Sequence, residues 1–316
     1  MSDLTTTVKH VDLTRRRSWF LDLTRHWQLY AMLLLPVAYV VIFSYVPMGG
    51  VIIAFKNYSI KRGVLGSEFI GMTHFIDFVS TPNFFILLRN TILLSLLSLV
   101  VGFPAPILLA LMINESGSQK YRKTVQMITY APYFISTVVL CGLLINFLSL
   151  RTGMLNNMIK ALGGTEINFM GTASMFRTIY VASGVWQGMG YGAVLYIATL
   201  AAVDQNIVEA SIMDGASRLR RVWHIDLPTI APTIVIQLIL SIGGIMSLGF
   251  EKVFLLQNPV NLDVSEVIST YVYKRGISQF QYSYATAVGL FNSVVNFILI
   301  VFANRIARIA GNTSLW

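Results

Sequence analysis

Apolar residues in this chain do not recur at core spacing; they gather into long runs separated by short polar connectors. A helix needs roughly 20 residues to cross a hydrocarbon layer of about 30 Å. Six runs meet that length: 27–55, 87–113, 124–148, 178–202, 230–256 and 284–306. Each carries Pro, Gly, Ser or Asn, as in Gly102-Phe103-Pro104-Ala105-Pro106. In lipid such breaks are tolerated where neighbouring helices or a water-filled cavity satisfy the freed backbone groups. The pattern predicts an all-α membrane protein with six transmembrane helices and many bundle-interior positions. The first run is too long for the roughly 7–15-residue apolar stretch of a signal peptide. No small-residue cleavage site follows it, and it reads as a retained span.

Composition sharpens this reading. Apolar residues make up 55% of the 316 positions, charged residues only 12%, and the mean hydropathy is +0.67. A soluble domain spends about a quarter of its residues on charge. The net charge of +9 raises the question of nucleic acid. No basic groove interleaved with aromatics is present, and membrane proteins collect Lys and Arg on cytoplasmic loops. With the N-terminus inside, 13 basic residues fall on cytoplasmic segments and 9 outside, while Lys252 lies in or beside the fifth run. The cytoplasmic ones crowd short loops beside helix ends: Lys120, Arg122 and Lys123, then Arg218, Arg220 and Arg221. Both termini are expected in the cytoplasm of a bacterial cell, with the chain in its inner membrane. Cys141 is the single cysteine, so intramolecular disulfides and Cys-based metal sites are excluded.

The chain divides into a cytoplasmic tail, 1–26, and a membrane domain, 27–316, whose informative loop is 203–229. From Arg17 to Trp27, the residues Trp19, Phe20, Leu23 and Trp27 share one helical face. That suits a helix lying in the membrane interface, or a first span that starts early with an aromatic anchor. The segment 57–86 has Phe75, Phe78 and Val79 at amphipathic-helix spacing. It is expected either to cap the bundle or to offer an extracellular docking surface.

The loop between the fourth and fifth runs reads Glu209-Ala210-Ser211-Ile212-Met213-Asp214-Gly215-Ala216, then continues to Ile225-Asp226-Leu227-Pro228. Residues 206–213 favour helix, with Asn206 as N-cap and Glu209 three positions on. Gly215 supplies the left-handed conformation that ends one helix and opens the next. A second helix is expected over 218–227, closed before Pro228. Small side chains at Ala210, Ser211 and Ala216 let another surface approach. Glu209, Arg218, Arg220 and Arg221 offer charged pairing at the edges.

The order Glu-Ala-small, three residues, Gly, nine residues, Ile-x-Leu-Pro resembles the "EAA" signature of binding-protein-dependent ABC importer permeases. Asp214-Gly215-Ala216 resembles the carbohydrate-uptake, maltose-type branch, and only Ser211 departs, standing where a second alanine is usual. Tyr45-Val46-Pro47-Met48, Tyr130-Ala131-Pro132-Tyr133-Phe134 and Gly249-Phe250-Glu251-Lys252-Val253 resemble the subgroup importing oligosaccharides and polysaccharide fragments such as those of alginate and pectin. The similarity runs from about Leu33 to Ile306. It implies a type I ABC importer permease fold and a second, homologous permease subunit as partner. Two copies of an ATPase subunit would carry ATP and Mg, and an extracytoplasmic solute-binding protein would deliver the saccharide. Under it, the ATPase-coupling residues are Glu209, Ala210, Ser211, Met213, Asp214, Gly215, Ala216, Leu227 and Pro228.

The chain's own content agrees with that division of labour. It has no Gly-x4-Gly-Lys-[Ser/Thr] phosphate loop and no Gly-Lys dipeptide at all. No cofactor is expected in this chain, and energy must come from another subunit or an ion gradient. For the substrate path, the fourth run offers Trp186, Gln187, Tyr191 and Tyr196 among several glycines. Aromatic faces and polar side chains bind sugars, but the same residues serve helix packing and interfacial anchoring. Glu251 and Lys252 are either cavity groups or interfacial charges. The competing class is an ion-coupled secondary transporter of a small polar solute, for which the runs lack embedded acids apart from Glu251. An enzyme is disfavoured: the four histidines are scattered, and no His-Glu-x-x-His or Gly-x-Ser-x-Gly occurs.

Overall fold

The structure, a computed structural model, describes residues 25–311. The interfacial helix expected over 17–27 therefore lies, up to Leu23 and Thr24, outside the described residues. The chain separates into two compact units, the first ending at Ile52. Its described part is the apolar helix α1, Trp27–Phe55, whose last residues belong to the second unit. α1 is broken midway by a π-type turn at Val41–Tyr45. Met32 and Leu35 are each 75% exposed. A helix apolar on all sides with bare side chains belongs in lipid or against another membrane helix.

Among the described residues of the second unit, a two-residue antiparallel pair (Lys56–Asn57 with Glu68–Phe69) precedes the short helix α2, Thr73–Ser80. Then come α3, Phe84–Asn114, and α4, Gln119–Tyr130. Next are α5, Thr137–Phe147; α6, Met154–Ala161; α7, Met175–Leu200; and α8, Gln205–Met213. The chain continues through α9, Arg218–Gly243; α10, Phe250–Leu256; α11, Ile268–Tyr273; and α12, Tyr282–Gly311. Among the described residues, four helices, α1, α3, α9 and α12, are each long and apolar enough to cross a membrane. Two bent pairs, the one ending in α5 and the α7–α8 pair, bring the number to six if each counts as one span.

Two expected runs are interrupted. The run 124–148 is not one helix, because the chain bends by 97° between α4 and α5. Pro132 lies in a 3-10 turn, Ile135 is extended, and the Ser136 hydroxyl accepts from Val139 N to start α5 afresh. α4 (QKYRKTVQMITY) is amphipathic and polar, and the 11 residues of α5 reach only about 16 Å. The run 230–256 also divides. α9 stops at Gly243, and Glu251 and Lys252 stand on the separate helix α10. The intervening backbone is satisfied from two other helices. Met246 N donates to Asn296 Oδ1 (3.0 Å), Asn296 Nδ2 to Ser247 Oγ (2.7 Å), and Ser95 Oγ to Ile245 O. Irregular backbone at membrane depth requires partners of this kind.

Of the two expectations for 57–86, α2 has the capping geometry. Phe78 is 1% exposed and packs edge-on against Phe84 and Phe291. On that same face Asn90 Nδ2 donates to Asp263 O (2.9 Å), and Asn258 Nδ2 to Met170 O (2.8 Å). The opposite end of the bundle is held by Ile107 and Ala110 of α3 against Ala193, Tyr196 and Leu200 of α7 and Ile230 of α9. This packing carries the site.

Candidate functional site

The loop 203–229 forms an elbow. α7 ends at Leu200, the chain turns by 82°, and α8 runs across the end of the bundle. Asp204, not Asn206, is the N-cap: its carboxylate accepts from Asn206 N at 2.9 Å. The expected cap fell two residues late because both side chains can fill that role. Gly215 has φ +74° and closes α8 with Gly215 N donating to Ile212 O (3.0 Å) and Ala216 N to Ser211 O (2.9 Å). Ser217 then caps α9 through its hydroxyl.

The second helix does not close before Pro228, as the sequence had implied. A π-type stretch at Val222–Asp226 carries α9 past Pro228 without interruption to Gly243. Pro228 sits where α-geometry resumes, a position at which its missing N–H costs little. The elbow is thus continuous with two long helices, α7 on one side and α9 on the other.

No residue of α8 is buried. Met213 is 87% exposed, and Ile207, Ile212, Leu219 and Trp223 are also exposed, around Glu209, Ala210, Asp214 and Gly215. Ser211 and Ala216 are half-buried, Leu227 likewise, and Pro228 is exposed. Apolar side chains held out on a short rigid helix mark a contact surface. Arg218 and Arg220 face solvent, but Arg221 does not offer its charge outward. It pairs inside the elbow with Glu115, a residue that no sequence motif singles out.

A second feature is a cavity of about 500 Å³ beside the break at 244–249. Ser95, Ser98, Tyr196, Gln237, Ser241 and Ser247 supply hydroxyls and one amide, and none of its lining residues is an acid or base. The buried Ser98 Oγ has no hydrogen-bond partner among the described residues. Of the residues expected to line a path, only Tyr196 does so here. Trp186 lines a separate, apolar cavity with Leu140, Leu144 and Phe169. The Gln187 amide donates to Ile135 O (2.9 Å), bracing the bend before α5. Tyr191 stacks on Tyr133 with ring centres 3.9 Å apart. Lys252 is buried, its Nζ donating to Tyr180 O (3.0 Å) and lying 4.9 Å from that ring, whereas Glu251 is exposed. Gln237 and the serines carry no sequence signal. Single polar residues in apolar runs look alike until the helices are packed.

Comparison with known proteins places this geometry. The family described as binding-protein-dependent transport system inner membrane component matches residues 102–309. Protein LplB of Bacillus subtilis (strain 168) is 46% identical over 291 residues, covering 92% of each chain. The polygalacturonan/rhamnogalacturonan transport system permease protein YteP of the same organism is 43% identical over 302 residues, 96% of this chain and 94% of its own. A crystal structure of a bacterial ABC transporter involved in the import of the acidic polysaccharide alginate superposes with a TM-score of 0.85. That match has 40% identity over 92% of this chain and 99% of that one. A further structure, the alginate transporter in complex with an alginate pentasaccharide-bound periplasmic protein, gives 0.86 at 40% identity over 94% and 99%. The fold is that of a type I ABC importer permease, and the chain belongs to the binding-protein-dependent transport system inner membrane component family.

Proposed function

We propose that this chain is one of two homologous permeases enclosing the import path of an ABC transporter for an oligosaccharide or polysaccharide fragment. An extracytoplasmic binding protein hands over the solute. ATP and Mg act on two partner ATPase subunits, which grip the exposed surface of α8 around Glu209, Ala210, Ser211, Met213, Asp214, Gly215 and Ala216. The root at Leu227 and Pro228 passes the motion into α9. The observation that carries this reading is the elbow: an apolar-tipped helix with no buried residue, fused at both ends to long helices.

The class of solute is supported by the relatives named for polygalacturonan/rhamnogalacturonan transport and for import of the acidic polysaccharide alginate, and by the cavity. Hydroxyls and an amide in an uncharged pocket suit a chain of sugar hydroxyls, each exchanging water for a protein partner. Tyr196 and Gln237 are the contacts of choice. Trp186 lines the apolar cavity, Gln187 braces the bend before α5, Tyr191 stacks on Tyr133 and Lys252 holds the Tyr180 carbonyl, while Glu251 is exposed.

The test is reconstitution with the second permease, the ATPase and the binding protein in proteoliposomes. Uptake of a labelled oligosaccharide should require ATP and loaded binding protein. Uptake that persists without the ATPase and follows a proton or sodium gradient would replace this reading with secondary transport. Gln237→Leu combined with Ser241→Ala removes two polar groups from the cavity. Each hydrogen bond contributes about 0.5–1.5 kcal/mol, so uptake at limiting substrate should fall by roughly 5- to 150-fold. Assembly should be unchanged on size exclusion.

A further inference from the structure

A cavity of about 280 Å³ separates Gln205 and Val208 of α8 from the end of α3. A push on α8 passes along the chain through the Gly215 turn into the first turn of α9, and that turn is where the link to α3 lies. The link is charged. Arg221 Nη2, on the first turn of α9, donates to Glu115 Oε2 at 2.5 Å, and Glu115 is the residue that follows the last turn of α3. Both side chains are largely out of water, at 15% and 16% exposed.

Glu115 itself stands on a braced loop. From α4, Arg122 Nε donates to Ser116 O at 2.6 Å, and its Nη2 donates to Asn114 O. Asp226, 3% exposed, lies among Asn114, Glu115 and Arg221; among the described residues, neither its Oδ2 nor Arg221 Nε has a hydrogen-bond partner. Three helices, α3, α4 and α9, therefore meet at one charge cluster directly behind the protrusion.

A pair so withdrawn from water is a poor way to gain stability, because desolvation offsets most of the attraction and a well-packed apolar pair would often serve as well. What the pair supplies is a fixed direction and distance between two rigid helices: a planar guanidinium against a carboxylate slides far less than two apolar side chains. We propose that Arg221 and Glu115 are positioning residues forming the strut through which displacement of α8 reaches α3. On this account they set the ratio of solute moved to ATP hydrolysed. The inference rests on the reading that α8 engages an ATPase.

The experiment uses the whole complex in proteoliposomes and measures moles of solute imported per mole of ATP hydrolysed, together with subunit stoichiometry and thermal midpoint. The variants are E115Q, the apolar pair E115L/R221M and the exchanged pair E115R/R221E. The apolar pair should assemble with an unchanged midpoint while its import-to-hydrolysis ratio falls about tenfold, within the usual range of coupling between sites. E115Q should lower the ratio in the same direction, and the exchanged pair should recover most of it. A wild-type ratio in the assembled apolar pair overturns the strut. So does failure of both E115Q and the apolar pair to assemble, which would make the cluster structural. If the unaltered complex imports nothing with ATP, the importer reading fails first and carries this inference with it. A coupled wild type with a coupled apolar pair sinks this inference alone.

Discussion

Gly190→Val is expected to force α4 away from α7 and to lower the thermal midpoint of the assembled complex. A Cβ at Gly190 would lie inside the Thr129 carbonyl group and against the Thr129 side chain. A backbone carbonyl cannot rotate away as a flexible side chain can, so the two helices must separate. Overpacking of this kind costs about 1–3 kcal/mol. Alanine should reach the lower part of that range and valine the upper part or beyond. Small residues allow such close approach between membrane helices, and here the approach holds the amphipathic α4 next to the bend that leads into α5. The measurement is the thermal midpoint of the complex in detergent, with Gly188→Ala as the control. Gly188 lies two residues earlier on the same helix with nothing within 4 Å of its Cβ position, so its midpoint should not move. Equal behaviour of the two alanine variants would mean that α4 and α7 do not touch as described.

The second large effect is expected at Gly215, for a different physical reason. No atom lies within 4 Å of a Cβ placed there, so the side chain has room. What it lacks is a comfortable backbone, since φ is +74°. The left-handed region costs an L-residue roughly 1–2 kcal/mol, and a β-branched residue there is a true outlier. Gly215→Val should reduce the population of the native turn by roughly 5- to 30-fold, because every 1.4 kcal/mol is tenfold. The two hydrogen bonds that close α8 would be lost with it. Asparagine, which tolerates this region, should be mild and alanine intermediate. The readout is ATP-driven uptake in proteoliposomes against subunit stoichiometry: uptake should follow the order Gly, Asn, Ala, Val while assembly stays constant. A valine variant with wild-type uptake would show that the angle of the elbow is not needed for coupling.

Both expectations come from glycines in stretches that the sequence already marked, yet only one was legible there. Gly215 stands at the end of a helix-forming segment and before a second one, a local arrangement that identifies its conformation without knowing the fold. Gly190 is one of four glycines in a single helix, and nothing local distinguishes it from Gly188. Its importance arises from Thr129, 61 positions away, brought beside it by the packing of α4.

The same division runs through the whole chain. Long apolar runs announce membrane helices because water and hydrocarbon differ so strongly that about 20 apolar residues have few other places to go. Lys and Arg crowding, the absence of a phosphate loop and the Glu209–Pro228 spacing are likewise properties of consecutive residues. They determined the class, the membrane location and the protrusion. Where a run bends is less local. Pro132 and Ser136 end one helix and start another, and the gap at 244–249 survives because Asn296 and Ser95 satisfy its backbone from two other helices.

Glu115 with Arg221, and the serines of the cavity, were decided only by tertiary structure. A polar side chain in an apolar run or a short loop has the same signature whether it meets lipid headgroups, water or a partner 106 residues away. Hydrophobic transfer depends on a residue and its neighbours in sequence, whereas an ion pair or a shared cavity depends on distance in space. That distance is set when the helices pack.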